Sequence, residues 1–257
     1  MDLDLVFLGT SASMPTAQRA PAAFLLRRGG ERLLFDCAEG TQRQLQRSSV
    51  GLPDLEEIFL THLHADHYLG LPGMLKTFAL RGRDEPGLTV YGPRGTKELF
   101  SRLRPFIGRL PYPLTAVELE PGETLERGEY RLATFAVDHG VSAIGWSLVE
   151  DERPGRFDVD AADALGVPSG PERGALQRGE PVTLADVKLL ALTHVSTRYF
   201  GPELAREARE IFPETVVPRD FDVIEVPFPD RGPPHLVKSG AKPTVEQARV
   251  EDPMIQS

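Results

Sequence analysis

Residues 61–67, with the sequence THLHADH, constrain this chain most, because they place three histidines and one aspartate within seven positions. Neutral imidazole is a preferred ligand of Zn²⁺, and an aspartate adds an oxygen ligand that a cysteine-based structural site lacks. The apolar stretch 57–61 is typical of a buried strand, and the apolar spacing over 69–80 predicts a helix. The sequence therefore predicts a catalytic metal site on a strand-to-helix loop, rather than a histidine-rich surface loop.

Within this loop, His62 and His64 can point the same way while Asp66 and His67 turn to a second position. One short segment could therefore serve two metal ions.

Two further histidines also follow predicted strands. His139 follows the stretch 134–138, and His194 follows the stretch 189–193. A single histidine in such a position is most often a surface residue, but five of the six histidines lie at three strand ends. This repetition favours convergence on one site. The sixth, His235, lies in a proline-rich stretch and is left out.

Composition indicates a globular protein of one large or two small domains, because 257 residues with 40% hydrophobic side chains can bury a substantial core. The single cysteine, Cys37, excludes an intrachain disulfide and is expected to be a buried thiol in a reducing compartment. The acidic start and the lack of a long apolar run favour a cytoplasmic location without a membrane span. The net charge of −9 argues weakly against nucleic acid, although paired arginines leave basic patches possible.

Strand and helix patterns alternate along the chain, which predicts an α/β fold. Thr41 and Gln44 match a capping box at the start of a helix, and residues 187–192 read as an apolar strand. We expect a main domain over residues 1–229, with a protruding arm at about 151–182 and a loosely ordered tail over 230–257.

Several segments together resemble the metallo-β-lactamase superfamily and, within it, the ribonuclease Z family of transfer RNA 3′-processing endoribonucleases. The histidine motif alone indicates only the superfamily. The sequences EGTQRQ at 39–44 and THVSTRY at 193–199 narrow the resemblance to ribonuclease Z. The matching segments are 7–10, 35–45, 61–67, 138–140 and 192–199. The resemblance implies a four-layer αβ/βα sandwich with a protruding arm.

The resemblance also implies a zinc-dependent endoribonuclease that removes the 3′ trailer from precursor tRNA and leaves a 3′ hydroxyl on the tRNA. Asp66 would accept the proton of the attacking water. The family further implies a cytoplasmic homodimer with two zinc ions per chain. One ion would be bound by His62, His64 and His139, and the other by Asp66, His67 and His194.

Substrate contacts are implied at two other places. The region of Gly170 and Pro171 resembles the part of the family's arm that grips the tRNA away from the active site. Arg198 is a candidate phosphate contact, and a buried structural arginine is the alternative.

The chain departs from the family between His139 and His194. A bridging aspartate in a Gly-Asp-Thr segment, a His-Glu-Ala-Thr motif and a His-Ser-Thr motif are all absent from this interval. We therefore predict that part of the second half of the fold is missing at a junction near Ala185 and Asp186. Three explanations are open: an excised segment, a deletion that impairs the enzyme, or a partner chain that supplies the lost elements.

Two alternatives to the ribonuclease Z hypothesis follow. One is a phosphodiesterase of the same superfamily with broader specificity. The other is a catalytically impaired tRNA-binding remnant, which the missing segment would produce.

Overall fold

The computed structural model describes residues 3–151, 187–196, 201–228 and 231–239. The strands of this part are β1 (Leu3–Gly9), β2 (Ala23–Arg28), β3 (Glu31–Phe35), β4 (Glu57–Phe59), β5 (Leu88–Gly92), β6 (Leu114–Glu118), β7 (Thr124–Glu126), β8 (Tyr130–Ala136), β9 (Ile144–Glu150), β10 (Leu190–Ala191), β11 (Thr215–Val216), β12 (Val223–Val226) and β13 (His235–Val237). The helices are α1 (Thr41–Arg47), α2 (Ala65–Tyr68), α3 (Leu71–Leu80), α4 (Thr96–Ile107) and α5 (Gly201–Ile211).

Eight strands form one mixed sheet in the order β13-β12-β1-β2-β3-β4-β5-β6. Strands β1, β3 and β4 of this sheet bury consecutive residues, because the central part of the sheet is covered on both faces. On one face Leu25, Leu34 and Ile58 join the core that includes residues of α1, α3 and α4. On the other face Phe35 and Phe59 join a second core.

The second core joins the large sheet to a three-stranded sheet, β7-β8-β9. Tyr130 and Leu132 of β8 are buried there, and the Trp146 ring of β9 meets Phe59 edge-on at 5.1 Å. Strand β9 lies in a stretch that the sequence analysis did not assign. The two sheets and the helices over the first are layers of the expected sandwich.

Strands β10 and β11 pair in parallel as a sheet of their own among the described residues. The predicted strand over 187–192 is therefore wrong in extent, because only Leu190 and Ala191 have ladder partners. Helix α5 lies between β10 and β11 in the chain.

The predicted capping box at α1 is also wrong. The N-cap is Gly40 in the left-handed conformation, with φ of 80°, and Thr41 is already helical. The Thr41 hydroxyl donates to the Ala38 carbonyl, and the buried Gln44 amide donates to the Leu8 carbonyl. Neither side chain caps the helix, and Gln44 instead makes a contact that is distant in sequence.

The sheet continues beyond residue 229, where the sequence analysis placed the start of a loose tail. Strand β13 pairs antiparallel with β12 and adds an edge strand. The arm region with Gly170 and Pro171, the junction near Ala185 and Asp186, Arg198, and residues 240–257 lie outside the described residues. None of the helices in the described ranges combines the length and the apolarity that a membrane span requires.

Candidate metal centre

Residues 61–67, which we name the histidine loop, follow β4. Asp36, which directly follows the neighbouring strand β3, holds this loop in place. Asp36 Oδ1 accepts a hydrogen bond from the Thr61 backbone N–H at 2.9 Å, and both carboxylate oxygens lie within 3.1 Å of the Thr61 hydroxyl. The carbonyl of Thr61 in turn accepts from the Ile144 N–H at 2.9 Å. The loop is therefore fixed to both the first sheet and β9.

The first cluster consists of His62, His64 and His139. The Nε2 atom of His62 lies 3.0 Å from Nδ1 of His64 and 3.1 Å from Nε2 of His139, and the remaining separation is 3.3 Å. Three nitrogens that share a tetrahedral zinc ion at the usual bond length would lie about 3.3 Å apart. The donor set and its spacing fit zinc.

The second cluster consists of Asp66, His67 and His194. Its ligand atoms are 3.3 Å apart between the two histidine Nε2 atoms, and Asp66 Oδ2 lies 3.7 and 3.5 Å from those of His67 and His194. Two imidazoles and one carboxylate also suit zinc. The two clusters adjoin, because the ring centroids of His62 and His67 are 4.0 Å apart.

Helix α2 places Asp66 and His67 in the second cluster, and the chain packs closely to hold this helix. The His67 carbonyl accepts from the Cys37 N–H, and the Cys37 carbonyl accepts from the Gly70 N–H, both at 2.8 Å. A Cβ on Gly70 would lie 2.1 Å from the Ala38 carbonyl oxygen. Only glycine therefore fits where α2 passes into α3.

The electrostatics differ between the clusters. Burial, followed by the neighbouring histidines, lowers the pKa of His62 to about 3, so its ring is neutral and free to bind a metal. For His67, burial acts to lower the pKa, but the hydrogen bond and charge of Asp36 outweigh it and the pKa is raised. For Asp66, burial acts to raise the pKa, yet the backbone N–H, His67 and a Ser13 hydrogen bond outweigh it and the pKa is lowered. Asp66 is accordingly an ionised carboxylate.

All six predicted ligands are thus brought together in two groups of three. Within the described ranges, neither group includes a further aspartate or glutamate that could stand for the bridging carboxylate. His235 lies on β13, with its Nε2 3.4 Å from Glu225, and joins neither group. Cys37 is fully buried, as expected, and burial raises the pKa of its thiol.

Asp36 is the functional residue that the sequence analysis did not identify. Its Oδ2 lies 2.7 Å from Nδ1 of His67, which leaves the other ring nitrogen directed at the second cluster. Such a carboxylate orients a ligating histidine and increases its basicity. Its position at the end of β3, like that of the histidine loop after β4, is the signal that could have revealed it.

The sequence profile of the metallo-β-lactamase superfamily matches residues 17–154. Ribonuclease Z of Gemmatimonas aurantiaca is 48% identical over 193 residues, which cover 74% of this chain and 61% of that protein. The chain thus spans about three fifths of that relative's length. The solved structure of human tRNase Z, short form, aligns with a TM-score of 0.65 at 27% identity and covers 88% of this chain and 100% of the human chain.

Ribonuclease Z of Halorubrum lacusprofundi aligns over almost its whole length, at 35% identity over 309 residues that cover 90% of this chain and 99% of that protein. Because this chain has only 257 residues, the relative carries several dozen residues without a counterpart here. The predicted missing segment would account for a difference of this size. The fold is that of the metallo-β-lactamases, and the chain belongs to the ribonuclease Z family of that superfamily.

Proposed function

We propose that this protein is a zinc-dependent endoribonuclease that removes the 3′ trailer from precursor tRNA and leaves a 3′ hydroxyl. The observation that carries the proposal is the pair of adjoining three-ligand clusters in a chain of the ribonuclease Z family. His62, His64 and His139 would hold one zinc ion, and Asp66, His67 and His194 the other. When bound, two zinc ions supply an activated water and neutralise charge on the phosphodiester.

The residues of the chain contribute proton transfer and orientation. The pKa of Asp66 is lowered, so its carboxylate is ionised and available to accept the proton of the attacking water. Asp36 holds His67 in the orientation that directs its Nε2 to the second cluster. Ile144 holds the Thr61 carbonyl and keeps His62 in place beside β9.

Substrate recognition and assembly complete the proposal. We place the tRNA contacts at Arg198 and in the region of Gly170 and Pro171, and we propose a cytoplasmic homodimer. Family membership and the sequence resemblance support these assignments. A local basic surface at these sites would reconcile tRNA binding with the net charge of −9.

The Asp66→Ala variant tests the proposal. We expect cleavage of a 5′-labelled precursor tRNA to fall by at least about 10²-fold, because the variant loses both a proton acceptor and a ligand. Binding of the same tRNA, measured by filter retention, should persist. His235→Ala is the matched control, since His235 lies outside both clusters, and it should cleave normally. Cleavage by Asp66→Ala near the wild-type rate would show that the assigned base is wrong.

One observation favours a second candidate, a tRNA-binding remnant with impaired catalysis. Within the described ranges, neither cluster has the bridging carboxylate that the family places between them, and the Halorubrum relative is several dozen residues longer. Zinc analysis separates the candidates. Two ions per chain would contradict the remnant, whereas one or none would support it.

A further inference from the structure

Asp220 is a nearly buried carboxylate, 8% exposed, that lies outside both metal clusters. Its Oδ1 accepts a hydrogen bond from the Thr10 hydroxyl at 2.7 Å. Its Oδ2 accepts from the Ala20 N–H at 2.7 Å and from the Gln44 amide at 2.9 Å. One side chain near the start of β12 thus ties down both ends of residues 10–20, which we name the Thr10 loop.

The Thr10 loop contacts the second cluster at two points. The Thr10 carbonyl accepts from the Val195 N–H at 3.0 Å, and the Val195 carbonyl accepts from the Ala12 N–H at 3.3 Å. Val195 directly follows the ligand His194. Ser13, further along the loop, lies close enough to Asp66 to contribute to the lowered pKa of that carboxylate. The loop therefore spans from one ligand of this cluster to another.

The position of His194 depends on the contact with the Thr10 loop, because the preceding strand β10 has only two residues. Strands β10 and β11 form a two-stranded sheet that is separate from β9 among the described residues. His194 itself has φ of 59°, which is uncommon for a residue other than glycine and needs surrounding contacts to hold it. The pairing of Val195 with the Thr10 loop supplies a contact next to this residue.

Arg19 strengthens the same connection. Its guanidinium donates to the Thr10 hydroxyl at 2.5 Å and to the Pro218 carbonyl at 3.0 Å. The Thr10 hydroxyl consequently accepts from Arg19 while it donates to Asp220. This chain of hydrogen bonds links the loop to the segment that leads from β11 to β12.

We propose that Asp220 is a positioning residue for the second cluster, which holds the Thr10 loop so that His194 and Asp66 keep the separation that zinc requires. This inference rests on the proposed function, because it assumes that the cluster binds zinc. The first cluster has no such dependence. Its ligands are held by the histidine loop and β9, through the hydrogen bond from Ile144 to Thr61.

The experiment measures zinc affinity in variants that retain one intact cluster each. His64→Ala leaves the second cluster intact, and His194→Ala leaves the first. Adding Asp220→Ala should weaken zinc binding by about 10- to 100-fold in the His64→Ala background, which is the usual effect of losing an outer support of a metal site. In the His194→Ala background the affinity should stay within about twofold, because the first cluster is held through the hydrogen bond from Ile144 of β9 to Thr61. Competition with a chromophoric chelator gives both values.

Asp222→Ala is the matched control. Asp222 is 5% exposed and lies two residues further along, but its carboxylate accepts from the N–H groups of Arg219 and Ser239 and not from the Thr10 loop. It should leave both affinities unchanged. Equal losses at both clusters, or equal effects of Asp220→Ala and Asp222→Ala, would show a merely structural role and overturn the inference.

Thr10→Val provides an independent variant should Asp220→Ala fail to fold. It removes the hydroxyl at nearly constant volume and should weaken zinc binding at the second cluster alone, whereas Thr10→Ser, which keeps the hydroxyl, should restore it. Unchanged affinity in Thr10→Val would overturn the inference while leaving the proposed function intact. If the otherwise unmodified chain bound no zinc, the proposed function itself would fail, and the inference with it.

Discussion

At the scale of single residues, Asp36 sets the orientation of the His67 ring in the second cluster. Its carboxylate contacts Nδ1 of His67 at 2.7 Å and the Thr61 hydroxyl and N–H at 2.9 to 3.1 Å. We predict that Asp36→Asn weakens zinc binding by about 10- to 100-fold, because the amide no longer supplies a charged acceptor to the imidazole. Chelator competition measures the change.

Asp4→Asn is the control for this substitution. Asp4 also belongs to the large sheet, but its partner is Arg27 at the partly exposed surface. An Asp36→Asn protein with the affinity of the control would show that Asp36 only stabilises the loop.

The six ligands could be predicted because each lies on a loop that follows an apolar strand. Histidine is also rare in this chain, and five of its six histidines lie at such positions. Asp36 follows a strand in the same way, yet a single aspartate carries no comparable signal. Thr41 and Gln44 matched a local capping pattern, but their partners include Leu8, which is distant in sequence. Long-range contacts of this kind cannot be read from local spacing.

At the scale of elements, the passage from α2 to α3 sets where Asp66 and His67 lie. Gly70 has no room for a side chain, since an added Cβ would lie 2.1 Å from one backbone oxygen and 2.8 Å from another. We predict that Gly70→Ala lowers the free energy of unfolding by about 1–3 kcal/mol, because the backbone of Cys37 and Ala38 must shift. Denaturant unfolding measures this loss.

Gly30→Ala is the matched control, because a Cβ there would meet nothing within 4 Å. Its stability should lie within about 0.5 kcal/mol of the parent protein. If the two alanine variants were equally stable, the close packing of α2 against the segment after β3 would not constrain the site.

The first half of the fold could be predicted element by element, since β1 to β5 carry dense apolar runs and clear turn residues. The second half could be predicted only in part. Strand β9, with the sequence IGWSLVE, mixes glycine and serine with its apolar residues and is defined by pairing with β8 over its full length. Strand β13 has only three residues and is defined by its antiparallel pairing with β12. Strands of this kind are specified by their neighbours rather than by their own sequence.

At the scale of the whole molecule, different parts of the chain hold the two clusters. The large sheet, the histidine loop and β9 hold the first cluster, while β10, β11 and the Thr10 loop hold the second. Ribonuclease Z of Halorubrum lacusprofundi carries several dozen residues without a counterpart in this chain.

The measurement that tests the central claim most directly is the mapping of the cleavage site in a precursor tRNA by the zinc-loaded protein. We predict a single cut at the end of the acceptor stem that leaves a 3′ hydroxyl on the tRNA, is lost when a chelator removes zinc, and returns when zinc is restored. No cut by a protein shown to hold two zinc ions, or a cut that persists without metal, would contradict the account.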